Sequence, residues 1–343
     1  MNKPKLEIKL AFIAGLKEIV LKEISQYQNF QVINEKTDLL YLNFVQSLVK
    51  IKNLRSVSRA YIVIRDFKYN PLYISNHKSI LGNLITLVLN DDRKAFKTFR
   101  ISCAGDDSPI ILSIAEYIQK TYKLTVAEDA DMKIHIAKAD EIWEIGIQIT
   151  RRPLSVRNYK LKNMSGAMDS TIAYALNSLC ELENANSYLN IFSGSATLLI
   201  EAGQCYPNLK QMIGFDNDKQ CISLAIQNIK KAGLIKNIQL KEKNIFDKPN
   251  LGQFDAITSD LPFGMSISKN ENLEDLYRCF VEYCQESLNH NGRLVVYTSE
   301  HKILEKIILK SKFQIIRTLE LKFMTSVNAY LRPKIFVCRL KQN

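Results

Sequence analysis

From Tyr188 onward, strand-like and helix-like stretches alternate regularly, and this rhythm constrains the fold more than any other feature. The strands read YLNIF, QMIGFD, IQLKEKN, FDAITSD and GRLVVYTS; helical stretches begin at Thr197, Lys219, Asn272 and Lys302. Parallel neighbours need a crossover connection, and a helix is the usual crossover. The alternation therefore predicts a mostly parallel sheet covered on both faces. The end breaks the rhythm. FQIIRTLELKF and KIFVCRL follow each other with no helix between, so the sheet should close with an antiparallel strand. MDSTIAYALNSLCEL (168–182) forms an amphipathic helix ahead of the first strand.

The first half lacks this rhythm. Residues 5–14 alternate as a strand, and GLKEIVLKEI brings Leu16, Ile19, Val20 and Ile24 to helical spacing. Strands follow at 38–44, 59–67 and 98–104, with helices beginning in VQSLVKIKNLRSVSRA and over 72–90. Over 108–122, Ser108 stands at the cap and Pro109 at the first helical position. Residues 131–150 read as two strands joined by a tight turn at Lys138–Asp140. Such a mixture predicts an α+β arrangement. The basic stretch RRPLSVRNYKLKN, broken by Pro153, links the halves.

Charge is uneven as well. Residues 1–160 hold 25 Lys and Arg against 17 Asp and Glu, and the rest holds 22 against 18, for a net +12. A basic excess gathered in one half points to a polyanion such as nucleic acid, or to a lysine-rich composition with no partner behind it. The seven cysteines include no C-x-x-C pair and there are only four histidines, so no metal site is expected. Scattered thiols suit a reducing, cytoplasmic compartment. LAFIAGL after Lys3, Lys5 and Lys9 faintly resembles a secretion signal, but it is short, Lys17 follows, and no small-residue cleavage site does. No run reaches the ~18 apolar residues that cross a membrane.

Chemistry concentrates at the strand ends. LNIFSGSATLLIEAG (189–203) is a strand, a small-residue turn and a helix. Gly194 permits a tight turn, and small residues at 193–196 let a ligand approach main-chain N–H groups. Turns of this kind also occur where nothing binds. The next strand ends at Asp216, where an acid can accept both hydroxyls of a ribose. Asp216 or Asp218 could instead cap the helix that ends at Gly233, and both roles hold if Asp218 caps while Asp216 binds. Asn244, at the third strand's end, could meet an adenine edge or merely make a turn.

The fourth strand runs into TSDLPFG (258–264). Pro262 biases Leu261 towards an extended shape. A rigid turn there can aim the Asp260 carboxylate and the Leu261 carbonyl at one point, so that two acceptors hold both protons of an exocyclic amine. Phe263 would stack on the ring, and Gly264 would leave room for it. The alternative is a plain strand-to-loop turn. The first strand carries no G-x-G-x-x-G, which argues against a nicotinamide dehydrogenase.

DLPFG and FSGSAT…IEAG resemble the motifs of Rossmann-like S-adenosylmethionine-dependent methyltransferases acting on amino groups, where an Asp, Asn or Ser precedes Pro-Pro and an aromatic. Leu261 in place of the first proline resembles the THUMP-domain-containing RNA guanine-N2 methyltransferases of the transfer-RNA acceptor-stem type. GAMDSTIAYAL (166–176) resembles the helix before that family's first motif. GLKEIVLKEI, LRSVSRAYIV, KTFRISC and DMKIHIAKADEIWEIGIQITRRPLSVR resemble its N-terminal ferredoxin-like and THUMP domains in order. The resemblance implies an α/β Rossmann-like methyltransferase domain, mostly parallel with an antiparallel terminal strand, preceded by α+β ferredoxin-like and THUMP domains. It implies bounds of 1–66 (ferredoxin-like), 67–152 (THUMP), 153–164 (linker) and 165–343 (methyltransferase).

The resemblance also implies a catalytic group of Asp260, Leu261, Pro262 and Phe263. S-adenosylmethionine would be held by Asn190, Phe192, Ser193, Gly194, Ser195, Ala196, Thr197, Asp216, Asn217, Asn244, Ile245 and Asp260. There are departures. Asn190, Ile191 and Ala196 stand where the family usually has Asp, Pro and the second Gly, and Asn244 where an aspartate is common. Asparagine still offers an oxygen acceptor. The extra methyl of Ala196 is tolerable if its φ stays negative.

These features lead to methyl transfer to the exocyclic amine of guanine in RNA, transfer RNA first, by a monomeric, cytoplasmic protein. The same chemistry on ribosomal RNA or on adenine is one alternative. The other is a binding or partner-activating protein with a failed cofactor site, which the changes at 190, 191, 196 and 244 would suit and an intact DLPFG would not.

Overall fold

The computed structural model describes residues 5–44, 48–66, 70, 77–103, 108–139, 142–161, 166–262, 272–326 and 329–342. The chain divides into two compact units, one of Met1–Phe12 with Val20–Ser155, the other of Ile13–Ile19 with Val156–Asn343.

The first unit is built on one eight-stranded sheet. Its strands are β1 (Leu6–Ala11), β2 (Val32–Glu35), β3 (Leu39–Asn43), β4 (Arg59–Asp66), β5 (Thr98–Ser102), β6 (Thr125–Val126), β7 (Met132–Ala139) and β8 (Ile142–Gln148), ordered β2-β3-β1-β4-β8-β7-β5-β6. Helix α1 (Lys17–Ile24) contributes its residues from Val20 onward, and α2 (Val49–Lys52), α3 (Gly82–Asp91) and α4 (Pro109–Tyr122) accompany the sheet. One face is apolar, with Ile8, Leu10, Ile62, Ile64, Ile134, Ile136, Ile145 and Ile147 packed against Leu84, Ile85, Val88, Ile111 and Ile114. The other carries Lys9, Tyr41 and His135, which converge on Glu144 at 2.6, 2.9 and 3.0 Å. Although burial alone would raise the Glu144 carboxyl, these bonds hold it at about 2.

Several elements differ from the sequence reading, among them the short strand β6, which it lacks, and β7, which extends through Lys138 and Ala139 where it places a turn. The helix beginning after residue 45 stops after one turn, at Asn53. The Glu23 carboxylate accepts the N–H groups of Arg55 and Ser56 at 2.6 and 2.9 Å, which competes with helical bonding there. Strand β2 is exposed along its whole length, so no buried alternation signals it. Ser108 caps α4 through the Ile111 N–H, with Pro109 at the first helical position.

The second unit holds a seven-stranded sheet ordered β11-β10-β9-β12-β13-β17-β14. Here β9 is Ser187–Ile191, β10 Gln211–Asp216, β11 Ile238–Glu242, β12 Phe254–Asp260, β13 Leu288–Thr298, β14 Phe313–Glu320 and β17 Lys334–Leu340; β15 (Phe323–Ser326) and β16 (Ala329–Leu331) form a separate hairpin. Strands β9 to β13 pair in parallel. The last strand, β17, is the antiparallel one, and it lies between β13 and β14 rather than at the edge.

Alternate residues of the strands face opposite ways. Tyr188, Met212, Ala256 and Val295 meet α5 (Ser170–Leu179), α6 (Thr197–Cys205) and α7 (Lys219–Lys231). Leu189, Ile213, Ile257 and Leu294 meet α8 (Leu273–Ser287) and α9 (His301–Leu309). The chain steps one way from β9 to β10 and the other way to reach β12. A ligand crevice is expected outside the carboxyl ends of strands that part in this manner.

Candidate active site

The turn leaving β9 is wound by three residues at positive φ: Phe192 at 55°, Gly194 at 49° and Ala196 at 64°. Its main-chain N–H groups are engaged within the protein: Ser193 N–H donates to the Phe215 carbonyl at 3.0 Å, and Gly194 N–H to the Asp216 carboxylate. The condition under which the Ala196 methyl would sit without strain, a negative φ, is not met: Ala196 caps α6 in the left-handed region. The Ala196 N–H reaches the Ser193 carbonyl at 2.8 Å, closing the reversal between strand and helix, and an alanine held so costs about 1–2 kcal/mol. A methyl placed on Gly194 would meet nothing within 4 Å, so the space above it is open.

Asp216, buried at the end of β10, reaches this turn. It accepts the Gly194 N–H at 2.8 Å and the Asp218 N–H at 3.1 Å. Burial pushes its carboxyl above the usual range, and these backbone bonds pull against the shift. Asp218 caps α7 through the Gln220 and Cys221 N–H groups, so capping and the strand-end position fall to different acids. Asn217 between them is exposed.

Asn190 is fully buried in β9. Its Nδ2 donates to the carbonyls of Ile191 and Thr258, leaving Oδ1 buried with no partner. The Ser193 hydroxyl is likewise buried and unpartnered. Ser195 and Thr197 bond each other through their hydroxyls at 3.2 Å. Phe192 turns its ring to Phe280 of α8, with centroids 6.1 Å apart. Asn244 takes the turn role: its Oδ1 accepts the Phe246 N–H at 3.1 Å, capping a single turn at Ile245–Asp247. Ile245 is buried beneath it.

Asp260 ends β12, two residues beyond the Thr258 that pairs with Asn190. One of its carboxylate oxygens is buried without a partner, and desolvation pushes the carboxyl up to about 8. The turn after it is braced. Leu261 N–H donates to Tyr297 O at 3.0 Å, and its side chain is buried. The Glu300 N–H can only donate, to Thr298 Oγ1, and the Pro262 carbonyl can only accept, from Tyr277 Oη. The 2.8 Å Thr298–Tyr277 bond between them must therefore run from Thr298 to Tyr277, so one directed chain of hydrogen bonds holds the Pro262 carbonyl. Phe263 and Gly264 lie outside the described residues.

Residues 157–327 match the family model of the RMKL-like methyltransferase domain.

These residues form an RMKL-like methyltransferase domain.

The methyl donor of such a domain is S-adenosylmethionine, and the strand-end turn fits it: an open space over Gly194, an acid at Asp216, and unpartnered polar atoms on Asn190 and Ser193. A mouse U6 snRNA (guanine-N(2))-methyltransferase is 27% identical over 214 residues, covering 59% of this chain and 39% of its own length. An Archaeoglobus fulgidus tRNA (guanine(6)-N2)-methyltransferase is 22% identical over 198 residues, covering half of each. The chain thus spans half or less of the length of these curated relatives. The crystal structure of TrmN from Thermus thermophilus shares the fold across 98% of this chain and 100% of its own, with a TM-score of 0.77 at 19% identity.

Several residues that shape the methyltransferase domain's turn escaped the sequence reading. Glu201, fully buried on α6, accepts from Arg157 at 3.0 Å and from Tyr159 at 2.8 Å. Asn228, buried on α7, accepts the Leu161 N–H and donates to the Ser195 carbonyl at 3.1 Å, tying the segment after Arg157 to the turn. One signal for Glu201 was present: an acid inside the apolar run TLLIEAG needs a buried cation, and Arg157 was at hand.

Proposed function

We propose that the protein transfers a methyl group from S-adenosylmethionine to the exocyclic N2 of guanine in RNA, with transfer RNA as the first substrate class. The observation that carries this reading is a convergence: the unpartnered buried atoms of Asn190, Ser193 and Asp260 all lie at the carboxyl ends of β9 and β12. The printed names of the mouse and archaeal relatives, both guanine-N2 methyltransferases of RNA, support the choice of base.

In this reading Asp216 accepts the ribose hydroxyls, Asn190 Oδ1 and Ser193 Oγ meet the polar end of the cofactor, and Gly194 keeps the space open. Asn244 presents its amide nitrogen to the adenine, with Ile245 beneath. When bound, the cofactor supplies an electrophilic methyl on its sulfonium. Asp260 and the Leu261 carbonyl each accept one amine proton and so orient the nitrogen lone pair. As that nitrogen gains a fourth bond, positive charge develops on it; the Asp260 carboxylate stabilises the charge and takes one proton. Phe263 stacks on the base, which must leave its helix at a cost of a few kcal/mol.

Residues 1–152, as ferredoxin-like and THUMP domains, would grip RNA by shape and phosphate charge in a cytoplasmic, monomeric protein. The carrying experiment is single-turnover transfer of labelled methyl to unmodified transfer RNA, with nucleoside mass spectrometry of the product. N2-methylguanosine is the expected product. Asp216→Ala should weaken S-adenosylhomocysteine binding by roughly 1–3 kcal/mol, the range for hydrogen bonds to a charged group. Tight RNA binding with no cofactor binding and no transfer would favour a binding protein instead.

A further inference from the structure

The hairpin of β15 and β16 is apolar where a surface hairpin is usually polar. Met324 is 70% exposed, Tyr330 45% and Leu331 42%. Its base is fixed: Leu321 is fully buried, Phe323 packs on the core, and the Lys322 N–H reaches the Ala14 carbonyl at 3.1 Å. Met324 and Tyr330 are direct cross-strand partners, so their side chains share one face, and the Lys322 ammonium lies 4.1 Å from the Tyr330 ring centroid. A large aromatic, a thioether and a cation held outward on an anchored hairpin mark a contact surface.

Sheet register places this hairpin beside the reaction centre. Asp260 pairs with Tyr297, Tyr297 with Ile335, and Ile335 with Leu319. The hairpin therefore leaves the very sheet margin on which Asp260 stands, two to three strands away, or about 10–14 Å. Its surroundings are basic, with Lys322, Arg332 and Lys334 against Glu320, which Arg332 engages at 3.2 Å.

We propose that this hairpin is a nucleic-acid contact: Tyr330 stacks on an unpaired base flanking the target nucleotide, Met324 packs against that base, and Lys322 meets the adjoining phosphate. An aromatic face receives any base, and a cation beside it receives the backbone. The inference rests on the RNA-methyltransferase reading and adds a second point at which the strand is held, so that extrusion of the target base is stabilised from its neighbour.

The test uses the full chain, an unmodified transfer RNA transcript and S-adenosylhomocysteine. Tyr330→Ala should weaken transcript binding about tenfold or more and raise the KM for RNA, with cofactor affinity and melting temperature unchanged. Tyr330→Phe should restore the wild-type values, and Lys322→Ala should flatten the salt dependence of binding. If the wild-type protein methylates the transcript and Tyr330→Ala does so with the same KM, the proposal falls while the proposed function stands, and the surface belongs to a protein partner. A wild-type protein that neither binds nor methylates RNA overturns both.

Discussion

Asp260 makes the reaction's pH dependence a direct test of the site. Burial pushes its carboxyl up to about 8 with no hydrogen bond opposing the shift, so at pH 7 only about a tenth of the substrate-free protein carries the charge that the proposed reaction requires. The kcat/KM for methyl transfer should therefore rise about tenfold per unit from pH 6 to near pH 8 and then level. The kcat profile should level at lower pH, because a bound amine donates to the carboxylate and favours its ionised form.

Asp260→Asn removes the charge and one acceptor, so the rate should fall about 10²-fold or more and the limb should vanish. Stability moves the other way. A raised folded pKa means that the neutral acid is the stable form: its contribution is full below the unfolded value of 3.8 and is lost as pH rises through about 8. At pH 9 the asparagine variant should be the more stable by about 1–3 kcal/mol, a figure reduced for the partial exposure of the residue. Single-turnover transfer across pH 6 to 9, with melting curves at each end, reads both effects. A flat wild-type profile, or a limb that persists in Asp260→Asn, would refute the assignment.

Three further substitutions probe the turn and its bracing. Gly194→Ala puts a methyl into open space at positive φ; melting should shift by no more than about 1–2 kcal/mol's worth, while S-adenosylhomocysteine affinity drops tenfold or more, and unchanged affinity in calorimetry would place the cofactor elsewhere. Ser193→Ala removes a buried hydroxyl that bonds to nothing described, so the ligand-free protein should melt at the same temperature or higher, while the rise on adding S-adenosylhomocysteine shrinks; a lower ligand-free melting temperature would mean that the hydroxyl is already satisfied. Tyr277→Phe breaks the bond to the Pro262 carbonyl, so kcat should fall roughly tenfold at unchanged cofactor affinity, and in an Asp260→Asn background the same change should do little more.

The methyltransferase domain was legible because its pattern is redundant. The central strands β9, β10 and β12 are buried almost throughout and read as apolar runs, helices connect β9 to β10, β10 to β11 and β12 to β13, and Asp218 and Gly194 sit where capping and turn chemistry ask for them. The first unit was less legible. Strand β2 has no buried face, and the helix after residue 48 is cut short by Glu23, thirty residues upstream in sequence. Tertiary partners of that kind leave no local trace. At the site, sequence indicated which residues lie at strand ends but not their conformations. The left-handed φ of Ala196 and the Asn244 side chain bonding its own turn became visible only in three dimensions, as did the Tyr277 chain, whose members are scattered from Pro262 to Glu300.

Unsatisfied chemistry in this protein is local. Elsewhere among the described residues buried polar groups find partners: Glu201 has Arg157 and Tyr159, Asn228 has Leu161 and Ser195, and Glu144 has Lys9, Tyr41 and His135. Among the described residues the buried side-chain atoms without a partner are Asn190 Oδ1, Ser193 Oγ and Asp260 Oδ1, and the two non-glycine residues Phe192 and Ala196 hold positive φ in the same turn. Each such feature is unfavourable by about 1–3 kcal/mol. Their chemistry also specifies what would satisfy them. Asn190 Oδ1 can only accept, and so can Asp260 once ionised, so each calls for a ligand that brings hydrogens. An ammonium at the first and an amino group at the second answer those demands along one sheet margin. In the proposed reaction the polar end of S-adenosylmethionine carries the one, and the exposed edge of guanine carries the other.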